Sequence, residues 1–188
     1  PAVEQEMEQP LDSPQWLTVH YLERDLSRGI LVGYYKSEEH LKWILGNNDR
    51  GSLVYNVRLK LKEDEARDGA HSAYFYEKQN IHFVILYTDG AEETGKYHVF
   101  HVKDTASKVT EERMRNTWYP METVEGDDDG AKRNYFFFRF DEEVNIGNID
   151  IGRLLQDMRA EHLKKFQSYV PGEPMFTTAE KLMEYRGK

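Results

Sequence analysis

The sequence lacks cysteine, long apolar runs and the short motifs of common hydrolytic and nucleotide-binding sites. With no Cys among its 188 residues, the chain forms no disulfide and uses no thiolate, which is compatible with a cytosolic protein. No apolar run approaches the roughly 18 residues that a membrane helix needs, and no signal-peptide pattern opens the chain. GxxxxGK, GxSxG and HExxH motifs are missing. We therefore expect a cytoplasmic protein that binds no membrane, needs no cofactor and is not itself an enzyme.

Basic residues are scarce relative to acidic ones. The chain has 25 Lys and Arg against 34 Asp and Glu, a formal net charge of -9. Because a phosphate backbone attracts a basic surface, this balance argues against broad, non-specific binding of nucleic acid. Much of the negative charge falls in two predicted loops, residues 63–68 and 125–130. Local basic clusters remain, and they comprise Arg58, Lys60, Lys62, Arg113, Arg115, Lys132 and Arg133.

The length suits one domain with an extension. A chain of 188 residues with 13% aromatic and 31% charged residues is typical of a globular protein with a proper core. Residues 1–28 are predicted to form an N-terminal arm and a helix, and residues 29–188 the domain itself. Apolar residues spaced by three and four predict that helix, and they are Trp16, Val19, Leu22 and Leu26. The first residue is Pro1 and not Met, which suggests that an upstream piece was removed.

Strands and helices alternate through the rest of the chain. Residues 29–35 are predicted to form a buried strand, and Ser37 an N-cap for a short helix that ends near Gly46. Alternation between Leu53 and Leu61 predicts a strand with one buried face, formed by the odd-numbered residues, and one wetter face. The remaining predicted strands lie at 73–76, 81–87, 97–103 and 135–140. The remaining predicted helices are one at 109–116, a long one capped by Asp150, and a last one that starts at Thr177, where Glu180 completes a capping box.

Two sets of polar residues are candidates for metal or acid–base chemistry. His98 and His101 lie three apart on a predicted strand, so their side chains face opposite sides and cannot hold one metal ion. Asp127, Asp128 and Asp129 offer oxygen ligands, but the regular spacing and the distal Glu of a calcium loop are missing. We predict a solvated acidic loop and no metal site. A hydrolase or nuclease acting through these aspartates is the least favoured alternative.

Aromatic side chains carry the main functional signal. They comprise Tyr34, Tyr35, Trp43, Tyr55, Tyr74, Phe75, Tyr76, Trp118 and Tyr119. A flat ring can stack on an extruded base while a nearby amide reads the base edge, although plain core packing is the more common role for any one of these rings. Trp118 and Tyr119 are the stronger candidates, because they lie beside Pro120 at a predicted loop entrance.

The order of the elements resembles the EVE domain of the PUA-like superfamily, which is related to the YTH domains. The similarity spans residues 29–186 and rests on the strand and helix at 30–43, the hairpin at 81–103, the aromatic strand at 135–140 and the segment 145–151. It implies an α+β fold, a small bent mixed β-barrel of the PUA-like type flanked by helices. It also implies a non-catalytic reader of a modified or flipped base in DNA or RNA. Such a reader would be a specificity module of a restriction or defence system, with an NTPase or nuclease as partner.

The leading hypothesis for such a reader names its site residues. They are Tyr55, Trp118 and Tyr119 for stacking on the base, Ser52 and Asn56 for its edge, and Arg58, Arg113 and Arg115 for phosphates. Family members usually carry a Trp after the first helix, where this chain has the segment 51–55, so Tyr55 is the candidate replacement. The alternative is a protein-interaction or scaffold domain that keeps the barrel without a base pocket, which the acidic balance favours.

Overall fold

The structure of this chain is a computed structural model. It describes residues 15–17, 19–35, 37–48, 51, 53–59, 76, 79–90, 97–110, 134–147, 149–166 and 174–187. The strands are β1 (Gln15–Leu17), β2 (Gly29–Tyr34), β3 (Val54–Leu59), β4 (Ile81–Tyr87), β5 (Tyr97–Thr110), β6 (Asn134–Ile146) and β7 (Met175–Thr178). The helices are α1 (Val19–Glu23), α2 (Glu38–Ile44), α3 (Ile151–Phe166) and α4 (Ala179–Met183). Within these ranges, no helix is long and apolar enough to cross a membrane.

The strands form one mixed sheet in the order β1-β6-β5-β4-β2-β7, and β3 pairs with β6 outside that path. β1 runs parallel to β6 and β2 parallel to β4, whereas the β2–β7, β3–β6 and β4–β5 pairs are antiparallel. β6 is long enough to pair with two partners on different stretches. Its residues 134–139 pair with β3, and its residues 144–146 pair with β1.

The chain divides into two compact units, and β5 and β6 contribute residues to both. Unit 1 comprises residues 1–35, 81–101 and 142–188, and unit 2 comprises residues 36–80 and 102–141. The predicted boundary between residues 28 and 29 remains a prediction.

The core of unit 1 lies between one face of the sheet and the helices. Ile30 and Val32 on β2 and Phe83 and Ile85 on β4 are buried there with Leu154 of α3. Continuous apolar sequence suits β2 because both of its neighbours are strands and every residue from 29 to 33 is buried. Each such side chain stabilises the fold by about 1.5–3 kcal/mol relative to an exposed one.

Polar caps fix where the helices begin. Ser37 accepts a hydrogen bond from the His40 backbone N–H at 3.1 Å and starts α2. Asp150 accepts one from the Arg153 N–H at 3.1 Å and starts α3. α2 ends at the cap residue Leu45, after which Gly46 takes a φ of 112°, a left-handed conformation that glycine adopts without strain.

Unit 2 packs α2 and aromatic residues against β3 and β6. The side chains of Phe136, Phe137 and Phe138 are all buried, so this part of β6 is covered on both faces. Tyr76 packs against two of them, with ring centroids 5.5 Å from Phe136 and 6.3 Å from Phe138.

Much of the predicted secondary structure is confirmed. The α+β class is confirmed, and so are the strands that begin at residues 29, 81 and 97. The Ser37 cap, the Asp150 cap and the turn at Asp89 and Gly90 are also present. A PUA-like barrel remains a prediction.

Four local predictions are wrong. The predicted helix at 16–26 is instead strand β1 followed by the short helix α1, because residues 15–17 pair with β6. A helix cannot begin at 109, since β5 continues to Thr110, and residues 111–116 lie outside the described residues. The last helix is capped by Thr178 and not by Thr177. The fourth concerns the wetter face of β3, and it bears on the site.

Candidate functional site

Tyr55 and Asn56, two of the predicted base-binding residues, lie on β3 in unit 2. Tyr55 pairs in register with Phe138 and Asn56 with Phe137 of β6. Alternation predicts that Asn56 faces the wetter side, but both residues are buried, with 3% of Tyr55 and 7% of Asn56 exposed. The prediction for Asn56 is wrong because α2 packs against β3 and covers that side.

His40 of α2 joins the two residues. It lies in the first turn of the helix, where Ser37 fixes the backbone, and it is buried with Leu41 and Ile44. Its Nε2 is 3.2 Å from Oδ1 of Asn56. Its ring stacks on Tyr55 with centroids 6.1 Å apart and planes at 26°.

Trp43, one turn further along α2, extends this group of rings. Its centroid is 6.2 Å from that of His40 and 6.0 Å from that of Phe137, the latter in an edge-to-face arrangement. Asn48 donates from Nδ2 to the Trp43 carbonyl at 2.8 Å and so closes the end of the helix. We call His40, Trp43, Tyr55, Asn56 and Phe137 the His40–Asn56 cluster.

The amide of Asn56 is the unusual feature of the cluster. For Oδ1 to accept a hydrogen bond from His40, Nε2 must carry the hydrogen. Across the described ranges, this is the only hydrogen bond that the Asn56 side chain makes, so its Nδ2 hydrogens are buried without an acceptor there. A buried donor in this condition costs about 1–3 kcal/mol, and native proteins rarely retain one without a role.

The remaining predicted site residues lie outside the described side chains. Ser52, Arg113, Arg115, Trp118 and Tyr119 are not among the described residues, and neither is the acidic loop at 127–129. Arg58 is placed only through its backbone, in register with Tyr135. The structure therefore brings together two of the predicted residues, Tyr55 and Asn56.

Sequence reasoning missed His40 and undervalued Trp43. Both lie on the apolar side of α2, where Leu41 and Ile44 identify a buried stripe. A histidine within such a stripe is a signal that could have been followed, because a buried imidazole needs a hydrogen-bonding partner.

Unit 1 contains a second polar pair. His98 Nδ1 lies 2.7 Å from Oε1 of Glu143, which joins β5 to β6. The His98 ring also packs edge-on against Tyr35, with centroids 5.9 Å apart, whereas His101 packs on Phe83. The two histidines thus have different surroundings, and no group of three potential metal ligands occurs among the residues that the structure describes.

Comparisons with known proteins give no match, whether to a family model, to a curated protein or to a solved structure.

Proposed function

We propose that this chain is a non-catalytic nucleic-acid reader that binds a flipped, modified base at the His40–Asn56 cluster. The observation that carries the proposal is the buried Asn56 amide, whose nitrogen has no acceptor in the described structure and which lies beside the Tyr55 and His40 rings. Aromatic faces and an amide edge are the two elements that recognition of an extruded base needs.

A base would be recognised by stacking and by its edge. Stacking on an aromatic ring contributes about 1–3 kcal/mol per base and tolerates any base, so selectivity falls to Asn56 and, in this proposal, to Ser52. Tyr55 and Trp43 are almost fully buried. Entry of a base therefore requires a side chain of the cluster to move aside, and Trp118 and Tyr119 are proposed to stack on the base with Tyr55.

The charge of the chain limits how the rest of the nucleic acid is held. With a net charge of -9, affinity for long duplexes is expected to be low, and Arg58, Arg113 and Arg115 are proposed to contact a few phosphates next to the base. Weak binding of the backbone with selective binding of one base suits a specificity module. In this proposal the module is a PUA-like, EVE-type barrel in the cytoplasm, and an NTPase or nuclease partner supplies the catalysis.

Titration with fluorescent oligonucleotides that carry modified or unmodified bases tests the proposal. Tyr55→Leu should weaken binding at least about 5-fold, because it removes a stacking face. Tyr87→Leu is the matched control, since Tyr87 is equally buried but belongs to unit 1. Failure of both oligonucleotide sets to bind at low salt, or equal weakening by both variants, would contradict the proposal.

The second candidate function is a protein-interaction domain that uses another surface of the same fold. The net charge of -9 favours it, because an acidic protein attracts basic partners and repels nucleic acid. In that case purification of the tagged chain would recover a protein partner, and Trp118→Ala would leave its recovery unchanged.

A further inference from the structure

Arg28 is held in place just before β2 without a carboxylate partner. One N–H of its guanidinium donates to the Tyr21 carbonyl at 2.7 Å, and the group lies over the Tyr21 ring, 4.4 Å from its centroid. Among the residues that the structure describes, no carboxylate lies within ion-pair distance of this guanidinium, and its other N–H groups have no acceptor. A partly buried guanidinium fixed in this way is prepared to donate to the oxygens of an anion.

Two histidines lie at the same end of the sheet as Arg28. β2 and β4 begin side by side, and His101 of β5 lies in register with Phe83 near the start of β4. The pairing of β2 with β4 skips His82, which is therefore an extra residue at a β-bulge. Bulges are frequent next to functional sites, because they change the direction of a side chain.

Ring contacts connect Arg28 to the second histidine. The Tyr21 ring beneath the guanidinium packs edge-to-face on Phe83, with centroids 6.1 Å apart, and Phe83 in turn packs on His101 at 5.3 Å. Arg28, His82 and His101 are all partly exposed, so an anion reaches them from solvent and no cavity is needed.

The charges around His82 favour an anion. Burial lowers the pKa of His82, the positive charge of Arg28 lowers it further and His101 adds to the effect, whereas Asp25 raises it. Asp25 is exposed, and its Oδ1 accepts from the Ser27 backbone N–H at 3.0 Å and from the Ser27 hydroxyl at 2.6 Å, so it does not pair with the guanidinium. The repulsion among the three basic groups decreases when an anion binds beside them.

We propose that Arg28, His82 and His101 form a phosphate-binding site in unit 1. A carboxylate has two oxygens, which the fork of one guanidinium satisfies, whereas a phosphate has further oxygens for the two imidazoles. The site goes beyond the proposed function, because none of its residues belongs to the His40–Asn56 cluster. Its ligand is a phosphate group, carried either by a small phosphomonoester or by a nucleic-acid backbone.

Binding at this site is coupled to protonation of His82. An anion stabilises the charged ring, so it raises the pKa of His82 from its lowered value. By linkage, the affinity increases as the pH falls through that pKa. Sulfate is the suitable probe for this effect, because it remains a dianion over the range used, whereas a phosphomonoester itself titrates with a pKa of about 6.

NMR titration of the full chain tests the site through the imidazole signals, at an ionic strength fixed with chloride. Sulfate and inorganic phosphate should shift the signals of His82 and His101, which His82→Gln and His101→Gln identify, and leave the other histidine signals unchanged. The affinity for sulfate should rise about 3-fold or more between about pH 7.5 and about pH 5.5. At about pH 6, acetate should bind about 3-fold or more weakly than sulfate.

Variants of two arginines separate a specific site from general attraction. Arg28→Gln should weaken sulfate binding about 10-fold, and Arg28→Lys about 3-fold, since lysine keeps the charge but not the fork. Arg24→Gln is the matched control, because Arg24 is an exposed arginine of the same segment, and it should change the affinity by about 2-fold at most. The signals followed belong to folded molecules, so a smaller folded fraction does not alter the measured affinity.

The outcomes decide both the site and the source of the phosphate. Unchanged signals of His82 and His101 with every anion, equal shifts with chloride, or equal weakening by Arg24→Gln and Arg28→Gln would overturn the site. Equal affinity for acetate and sulfate would overturn the assignment to phosphate. If the site holds, tighter binding of a short single-stranded oligonucleotide without terminal phosphates than of inorganic phosphate supports a nucleic-acid backbone, and the reverse order supports a small phosphomonoester.

Discussion

At the scale of single residues, the His40–Asn56 pair could stabilise the fold or recognise a base, and the two roles predict different effects of mutation. Both side chains are buried among aromatic rings, and a hydrogen bond of 3.2 Å joins them. Such a pair stabilises a fold only slightly over an apolar pair of similar shape, because both groups lose their hydration on burial. In the proposed function, the remaining amide hydrogens of Asn56 are the ones that a ligand would accept.

The first prediction concerns the stability of this pair. His40→Leu leaves the whole Asn56 amide without a partner and should lower the free energy of unfolding by about 1–3 kcal/mol. The double variant His40→Leu/Asn56→Leu removes both polar groups and should recover most of that loss while abolishing discrimination among bases. Urea unfolding of the two variants measures the difference. If the double variant is less stable than the single one by a further ~1 kcal/mol, the pair is a structural requirement and not a reading device.

Sequence periodicity locates the site residues only in part. Alternation along β3 identifies the strand and the burial of Tyr55. It cannot show that Asn56 is buried as well, because that depends on α2 packing across β3, a contact between elements that no local pattern encodes. The sequence marks His40 as a histidine within a buried stripe, but it does not identify its partner, which lies on another element.

At the scale of elements, the cap of α2 determines the position of the cluster. α2 has seven residues, too short to be stable by itself, so its first turn depends on the Ser37 side chain and on packing. That first turn carries His40, and the next turn carries Trp43. Weakening of the cap should therefore disturb the positions of His40 and Trp43 more than it disturbs the rest of the fold.

The second prediction compares two caps. Ser37→Ala should lower the free energy of unfolding by about 1 kcal/mol and also weaken binding of the preferred oligonucleotide, because His40 loses its fixed backbone. Thr178→Ala is the matched control, since Thr178 caps the short helix α4 of unit 1 by accepting from the Lys181 N–H at 3.3 Å. It should cost a similar amount of stability without changing affinity. Equal effects of the two variants on affinity would argue against a special role for α2.

Local patterns predict elements well and their pairing poorly. The apolar and capping signals around β2, β4 and α3 lie within a few residues of each element, so they can be seen in the sequence. The parallel pairs β1–β6 and β2–β4 join distant parts of the chain, and no turn signal connects them. The misassigned helix at 16–26 has the same cause, because pairing of residues 15–17 with 144–146 overrides their helical spacing.

At the scale of the whole molecule, histidine titration gives the chain a pH dependence near neutrality. His82 on β4 has its pKa lowered from the ordinary value of 6.5, chiefly because burial penalises the charged ring and secondly because the Arg28 guanidinium repels it. Asp25 acts in the opposite direction and His101 in the same direction as Arg28. The native state therefore binds fewer protons than the unfolded state just below pH 6.5.

The third prediction follows from that difference. Since the unfolded state takes up the extra proton, the contribution of His82 to the free energy of unfolding is fully present above about pH 6.5 and is lost as the pH falls toward the lowered pKa. Urea unfolding of the wild-type chain at about pH 7.5 and about pH 5.5 should show lower stability at the acidic value. His82→Gln should reduce this loss, because glutamine does not titrate.

Asp25 does not interfere with this comparison. Its hydrogen bonds to Ser27 lower its pKa from the ordinary value of 3.8, so its contribution to stability is lost only at a pH below the range compared. An identical loss of stability in His82→Gln and the wild-type chain would show that burial of this ring does not control the pH dependence.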